Sequence, residues 1–125
     1  MSLMNSFLTS TFPLLPRWIA KLFAKPYVAG EIEDEAVTHI KALNGRGFAA
    51  TVDILGEHVL TTDKARDITN QYCHLYDRIF SESLDCNISI KPTHIGLNIS
   101  LDEAMANTTA ILKKAREHGN FLRID

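Results

Sequence analysis

The sequence predicts an α/β fold, specifically part of a (β/α)8 barrel, and three observations carry that expectation. Three short runs of two-residue period, "FAATVDIL", "NISIK" and "FLRID", alternate with helical patterns. Centred on Thr51, Ser89 and Arg123, the runs recur at intervals of roughly 35 residues, the rhythm of right-handed βαβ units in a parallel sheet. Each run has one apolar and one more polar face, because side chains alternate along a strand. Val52 and Ile54 oppose Thr51, Asp53 and Leu55; Ile88 and Ile90 oppose Asn87, Ser89 and Lys91; Leu122 and Ile124 oppose Phe121, Arg123 and Asp125. Central strands of a doubly wound sheet lie under helices on both faces and should be apolar on both. A barrel instead packs its outer face on helices and lines a polar site with its inner face near the C-terminal rim.

In chain order, residues 1–28 read as an N-terminal extension and 29–125 as the barrel part. In the extension, Trp18, Ile19, Leu22 and Phe23 sit at helical spacing with Arg17, Lys21 and Lys25 on the polar side. This short basic amphipathic helix is expected to dock on the domain, with contact to an anionic membrane surface as the alternative. Ile32, Ala36, Val37, Ile40 and Leu43 then form the stripe of a helix whose first turn is acidic and whose end is followed by Gly45 and Gly47. A strand over Phe48–Leu55 is broken by Gly56. The next helix is predicted over Asp63–Ser83, with Thr62 as N-cap and Ala65, Ile68, Tyr72, Leu75, Ile79 and Phe80 on its apolar side. After the second strand, Ser100-Leu101-Asp102-Glu103 forms a capping box that opens a helix running to Gly119. The third strand, Phe121–Asp125, follows.

Composition narrows the function. With 125 residues, 46% hydrophobic and a formal net charge of -2, the chain has room for one globular domain. Thirteen Lys+Arg against 15 Asp+Glu, without long like-charge runs, give no electrostatic reason to expect nucleic acid as a partner. Cys73 and Cys86 lack zinc-ligand spacing and read as reduced thiols. No apolar run reaches the ~18 residues of a membrane helix, and the N-terminus lacks the basic region of a signal peptide. A cytoplasmic protein is expected. Three strands cannot close a barrel of eight, which needs ~250 residues, so the chain is expected to be the N-terminal part of something larger.

Asp53, Lys91 and Asp125 fall at or near strand C-terminal ends, where barrel enzymes place their chemistry. Pro92 disfavours helical geometry at Lys91 and holds it extended. For Lys91 the alternatives are a lysine reaching solvent and a Schiff-base lysine. For Asp53 and Asp125 the alternative is a structural ion pair with Lys91 or Arg123; for Glu57, an exposed loop acid. His94 is taken as a loop histidine rather than a general base, since no nucleophile or metal partner is spaced with it. Tyr72, Tyr76 and Phe80 are assigned to packing, and His39, His58, His74 and His118 to surface or helix positions.

With "ATVDILGE", "SIKPTHIGL" and "GNFLRID" in this order and spacing, the chain resembles the proline dehydrogenase (proline oxidase) family of the bacterial monofunctional type. The resemblance runs from about Tyr27 to Asp125 and is most specific in Leu55-Gly56-Glu57 and Ser89-Ile90-Lys91. It implies a (β/α)8 TIM barrel that uses FAD to oxidise L-proline to 1-pyrroline-5-carboxylate in proline catabolism. It also implies a quinone acceptor, hence a location peripheral to the inner membrane. By motif, Lys91 matches the lysine beside substrate and flavin, and Asp125 matches the active-site aspartate closing the third strand. Glu57 matches the acid that pairs with a substrate-binding arginine, and Asp53 matches a first-strand acid near the same rim. Pro92 departs from the leucine of many members. The resemblance places most FAD contacts and the carboxylate-binding arginines beyond Asp125, so the 125-residue chain alone is expected neither to bind FAD tightly nor to oxidise proline. Two readings stand beside this one: a lysine-centred barrel lyase or aldolase, and a non-enzymatic truncated module that interacts through its open sheet edge.

Overall fold

The computed structural model describes residues 32–56 and 58–125. The chain divides into two compact units, Met1–Ala36 and Val37–Asp125. The amphipathic helix expected around Trp18 lies outside the described residues, as does Glu57. The elements are α1 (Glu33–Gly45), β1 (Ala50–Val52), α2 (Thr62–Ser81), β2 (Cys86–Ile90), a 3-10 turn (Pro92–His94), α3 (Leu101–Glu117) and β3 (Leu122–Ile124). Three acidic residues, Glu33, Asp34 and Glu35, occupy the first turn of α1, where the helix dipole favours them.

The strands form one parallel sheet in the order β1-β2-β3, with Ala50 opposite Cys86, Ile88 opposite Leu122 and Ile90 opposite Ile124. A sequential parallel order, each strand joined to the next through a helix, is that of a singly wound barrel arc. One half of a doubly wound sheet runs in the same order, so the polar face of β2, with Asn87 and Ser89 opposite Ile88 and Ile90, is what favours a barrel. The fold is thus α/β with barrel connectivity, as expected. Helices α2 and α3 pack against one another and cover the isoleucine face of β2. Ile88, Ile90, Tyr72, Tyr76, Ile95 and Ile111 are the large side chains fully buried there.

Each helix hands over to the next strand through the same C-terminal device. At α3, Asn120 N donates to Ala115 O (2.9 Å) and Gly119 N to Arg116 O (3.1 Å), a Schellman motif with Gly119 at φ +64. The end of α1 repeats it through Phe48 N to Leu43 O (3.1 Å) and Gly47 N to Asn44 O (2.9 Å). The end of α2 repeats it through Leu84 N to Ile79 O (2.9 Å) and Ser83 N to Phe80 O (3.1 Å), but here Ser83 occupies the left-handed position at φ 53. Two asparagines pin the turns that feed the strands. Asn44 donates to Phe48 O (2.8 Å) and Asp85 O (3.1 Å) and accepts from Asp85 N (2.9 Å); Asn120 donates to Cys86 O (2.9 Å).

Several details differ from expectation for physical reasons. β1 ends at Val52 rather than Leu55, because the next residue, Asp53, turns its carboxylate to α2, where Tyr72 donates to it. The N-cap of α2 is Thr61, not Thr62, its hydroxyl accepting from Lys64 N at 3.4 Å. Ser100 caps α3 as expected, accepting from Glu103 N at 3.1 Å. Phe80, assigned to the packing stripe, is exposed and stacks on His118 with ring centroids 4.5 Å apart. His118, half-buried, is held by Asp77 (2.7 Å).

Because a left-handed backbone costs an L-residue roughly 1–2 kcal/mol, Ser83→Gly is expected to raise unfolding stability by about 1 kcal/mol, less the backbone entropy glycine adds to the unfolded chain. Urea denaturation of the two proteins measures it; a lower midpoint for the variant would contradict the strain at this position.

Candidate active site

Alternation along β2 fixes the direction of its side chains. Since Ile88 and Ile90 enter the core under α2 and α3, Asn87, Ser89 and Lys91 belong to the opposite, inner face. Thr51 joins that face from β1, its hydroxyl donating to Asn87 Oδ1 at 2.7 Å. Asn87 and Ser89 are buried, and neither the Asn87 amide nitrogen nor the Ser89 hydroxyl has a hydrogen-bond partner among the described residues. Leaving such groups unmatched costs about 1–3 kcal/mol each, so the inner face carries unspent polar capacity. One residue past the Ile90–Ile124 pair, the ladder continues with Asp125 N donating to Ile90 O at 2.9 Å. Lys91 and Asp125 therefore stand at adjacent strand ends.

The turn carrying Lys91 is built tightly. Lys91, extended at φ -104 and ψ 124, precedes the 3-10 turn that Pro92 opens. His94 N donates to Lys91 O (2.9 Å), and Ile95 N and Leu97 N both donate to Pro92 O (3.2 and 3.0 Å). From α3, the buried Asn107 amide donates to Ile95 O at 2.8 Å and approaches Glu103 Oε1 at 3.4 Å. Glu103 also faces Arg66 of α2 at 3.5 Å. Gly96 sits where an added Cβ would come within 2.8 Å of Glu103 Cγ, so the turn closes onto α3 only with glycine there.

A second knot joins the end of β1 to this turn. Tyr72 of α2 donates to Asp53 Oδ1 at 3.1 Å, and the His94 ring lies edge-on to Tyr72 with centroids 6.3 Å apart. Gly56 meets the same ring: a Cβ there would clash with His94 Nε2. Burial, reinforced by the Asp53 carboxylate, pushes the Tyr72 phenol well above its ordinary range, so it remains a donor. Burial lowers the His94 pKa, with Lys64 and Lys91 acting in the same direction and Asp53 opposing. Burial also pushes the Cys86 thiol up to about 11 and raises that of Cys73. Neither cysteine is a thiolate nucleophile at neutral pH.

Comparison with known proteins places this geometry. No family model matches the chain. It is 33% identical to proline dehydrogenase 1 of Bacillus subtilis subsp. natto over 105 residues, which is 84% of this chain and 35% of that protein. It is 32% identical to proline dehydrogenase 2 of Bacillus subtilis (strain 168) over 108 residues, 86% of this chain and 36% of that one. The chain is thus similar to one part of each of these two proline dehydrogenases. It spans about a third of the length of the curated relatives it matches. Among solved structures, proline utilization A (PutA) from Bdellovibrio bacteriovorus, inactivated by N-propargylglycine, superposes with a TM-score of 0.70 at 25% identity, over 82% of this chain and 13% of that one.

Of the four positions singled out by resemblance to the proline dehydrogenases, the structure brings Lys91 and Asp125 together at the rim through strand register. Asp125 also makes the local ion pair that was its structural alternative, Arg123 Nε to Asp125 Oδ1 at 3.4 Å, with both side chains largely exposed. Asp53, expected on the inner face with Thr51, instead spends its carboxylate on Tyr72 of α2, because the chain leaves the ladder at Val52. Its only named structural alternative, a pair with Lys91 or Arg123, did not foresee this partner. His94, read as a loop histidine, is buried within the 3-10 turn. The contact of His94 with Gly56 was missed; its signal was a glycine at a strand end, which often marks close backbone approach. Asn107 was missed too, although a polar residue on the stripe Ala104, Asn107, Ile111 and Ala115 already signals a buried hydrogen bond.

If the Gly56–His94 contact is as tight as the geometry requires, Gly56→Ala should destabilise by about 1–3 kcal/mol through overpacking. The cost should shrink by at least ~0.5 kcal/mol when His94→Ala is also present, as contacting sites couple. Strict additivity in denaturant melts would contradict the contact. The His94 shift also sets a pH dependence. A pKa lowered in the folded state means the unfolded chain binds the proton more readily. Stability is then complete above the ordinary pKa of about 6.5 and falls as pH drops below it. His94→Gln is expected to flatten that part of the stability-versus-pH curve, and an identical slope would contradict the assignment.

Proposed function

We propose that this chain supplies the first three strands of a (β/α)8 barrel that oxidises L-proline to 1-pyrroline-5-carboxylate, with FAD as cofactor and a membrane quinone receiving the electrons. Kinship with proteins named proline dehydrogenase supports the reaction. The observation that carries the site is strand register, which seats a lysine and an aspartate side by side at the C-terminal rim. A quinone acceptor makes the protein a cytoplasmic one that meets the inner membrane peripherally.

The residues present suit such a site. Forming the carbon–nitrogen double bond removes a hydride from carbon and a proton from nitrogen. FAD, when bound, supplies the two-electron acceptor that no side chain provides. Lys91 would contact both flavin and substrate, its positive charge favouring negative charge that builds up on the acceptor. Asp125, as a carboxylate, would attract and orient the cationic amine of proline, from which the proton must leave. Glu57 would pair with a substrate-binding arginine brought by the rest of the barrel. Asp53, held by Tyr72, would act on the rim through position.

The test is a graft of residues 29–125 in place of the matching third of a Bacillus subtilis relative, assayed by proline-dependent dye reduction. The graft is expected to be yellow and active, and Lys91→Met is expected to lower kcat/KM by about a hundredfold, the scale of losing one electrostatic stabiliser. A folded, flavin-loaded graft that ignores proline, or one indifferent to both Lys91→Met and Asp125→Asn, would overturn the proposal. The 125-residue chain by itself should leave dye reduction at background; reduction that depends on proline would refute that expectation.

A further inference from the structure

His94 touches three parts of the rim at once. Its backbone N–H donates to Lys91 O at 2.9 Å. Its ring fills the space that a Gly56 Cβ would need and lies edge-on to Tyr72, whose hydroxyl holds Asp53. The end of β1, helix α2 and the turn after β2 are thus joined at one imidazole that is only 4% exposed. Among the described residues, the charged and titratable groups facing it are Asp53 beyond β1, Lys64 and Tyr72 on α2, and Lys91 after β2.

We propose that His94 is a positioning residue for Lys91: its neutral ring, wedged between Gly56 and Tyr72, fixes the turn that carries the lysine, and protonation of the ring releases that turn. Among the described residues, two cations and one carboxylate already engaged by Tyr72 face the ring, so an imidazolium there meets more like charge than counter-charge and is driven toward water. Gly56 leaves the ring no slack on one side. The ring therefore leaves by moving its own backbone, and that backbone is bonded to the carbonyl of Lys91. The inference rests on Lys91 as the site residue of the proposed reaction, but its consequence is read at the amine itself.

The test is trace acetylation of the full 125-residue chain with acetic anhydride across pH. Mass spectrometry gives the Lys91-to-Lys113 labelling ratio, with the exposed Lys113 of α3 as the internal reference. The ratio is expected to be constant above about pH 7.5 and to change several-fold on descent to about pH 5, the range in which histidine titrates. His94→Gln, neutral throughout, is expected to abolish that step. A flat ratio in the parent chain, or the same step in His94→Gln, overturns the proposal. Should circular dichroism show that His94→Gln has lost the fold, Gly56→Ala replaces it. That variant displaces the ring without removing it and should already shift the ratio at about pH 7.5; an unshifted ratio overturns the proposal. Because no step reads proline oxidation, failure of the proposed reaction and failure of this coupling are separate results.

Discussion

Complete burial of Ile88 and Ile90 against α2 and α3 is the constraint from which the rim follows. Each buried isoleucine contributes on the order of 1.5–3 kcal/mol. A one-residue slip of β2 would exchange both for Asn87, Ser89 and Lys91 in the same core, adding the desolvation of polar groups and a charge. The direction of Lys91 is therefore set by two side chains that take no part in its chemistry. Parallel pairing then carries the choice across to β3, where Ile124 lies opposite Ile90 and Asp125 comes next.

The two ends of the sheet serve different purposes. At the N-terminal ends of the strands, the turns 46–49, 82–85 and 118–121 are equally short and closed by repeated Schellman motifs with asparagine clamps. This end is organised for stability. At the C-terminal ends, the connections 53–61 and 91–100 are longer and hold Asp53, Gly56, Lys91 and His94. Their order comes from side chains reaching in from the helices, Tyr72 from α2 and Asn107 from α3. The polar groups of Asn87 and Ser89, which have no hydrogen-bond partner among the described residues, fit this division, since a surface optimised only for packing would have apolar residues there.

Much of this was legible before the structure. The three helices, the three strands and the two faces of β2 follow from periodicity, because a 3.6-residue or two-residue repeat is a local property of the chain. The Ser100 cap was readable for the same reason. The sequence did not disclose where Asp53 turns, since its partner Tyr72 is brought near only by tertiary packing. The burial of His94 was hidden likewise, depending on a glycine 38 positions earlier that leaves room for its ring. Ser83 adopts a left-handed conformation that its residue type does not advertise, and it does so because the Schellman bonds to Ile79 and Phe80 require it.

The central claim is that register places Lys91 beside Asp125. Cross-strand nuclear Overhauser effects in the isotopically labelled chain test it most directly. Contacts between Ile88 and Leu122, between Ile90 and Ile124, and from the Asp125 amide to the Ile90–Lys91 backbone are the predicted result. A pattern displaced by one residue, with Lys91 opposite Ile124, would turn the lysine into the core face and contradict the account.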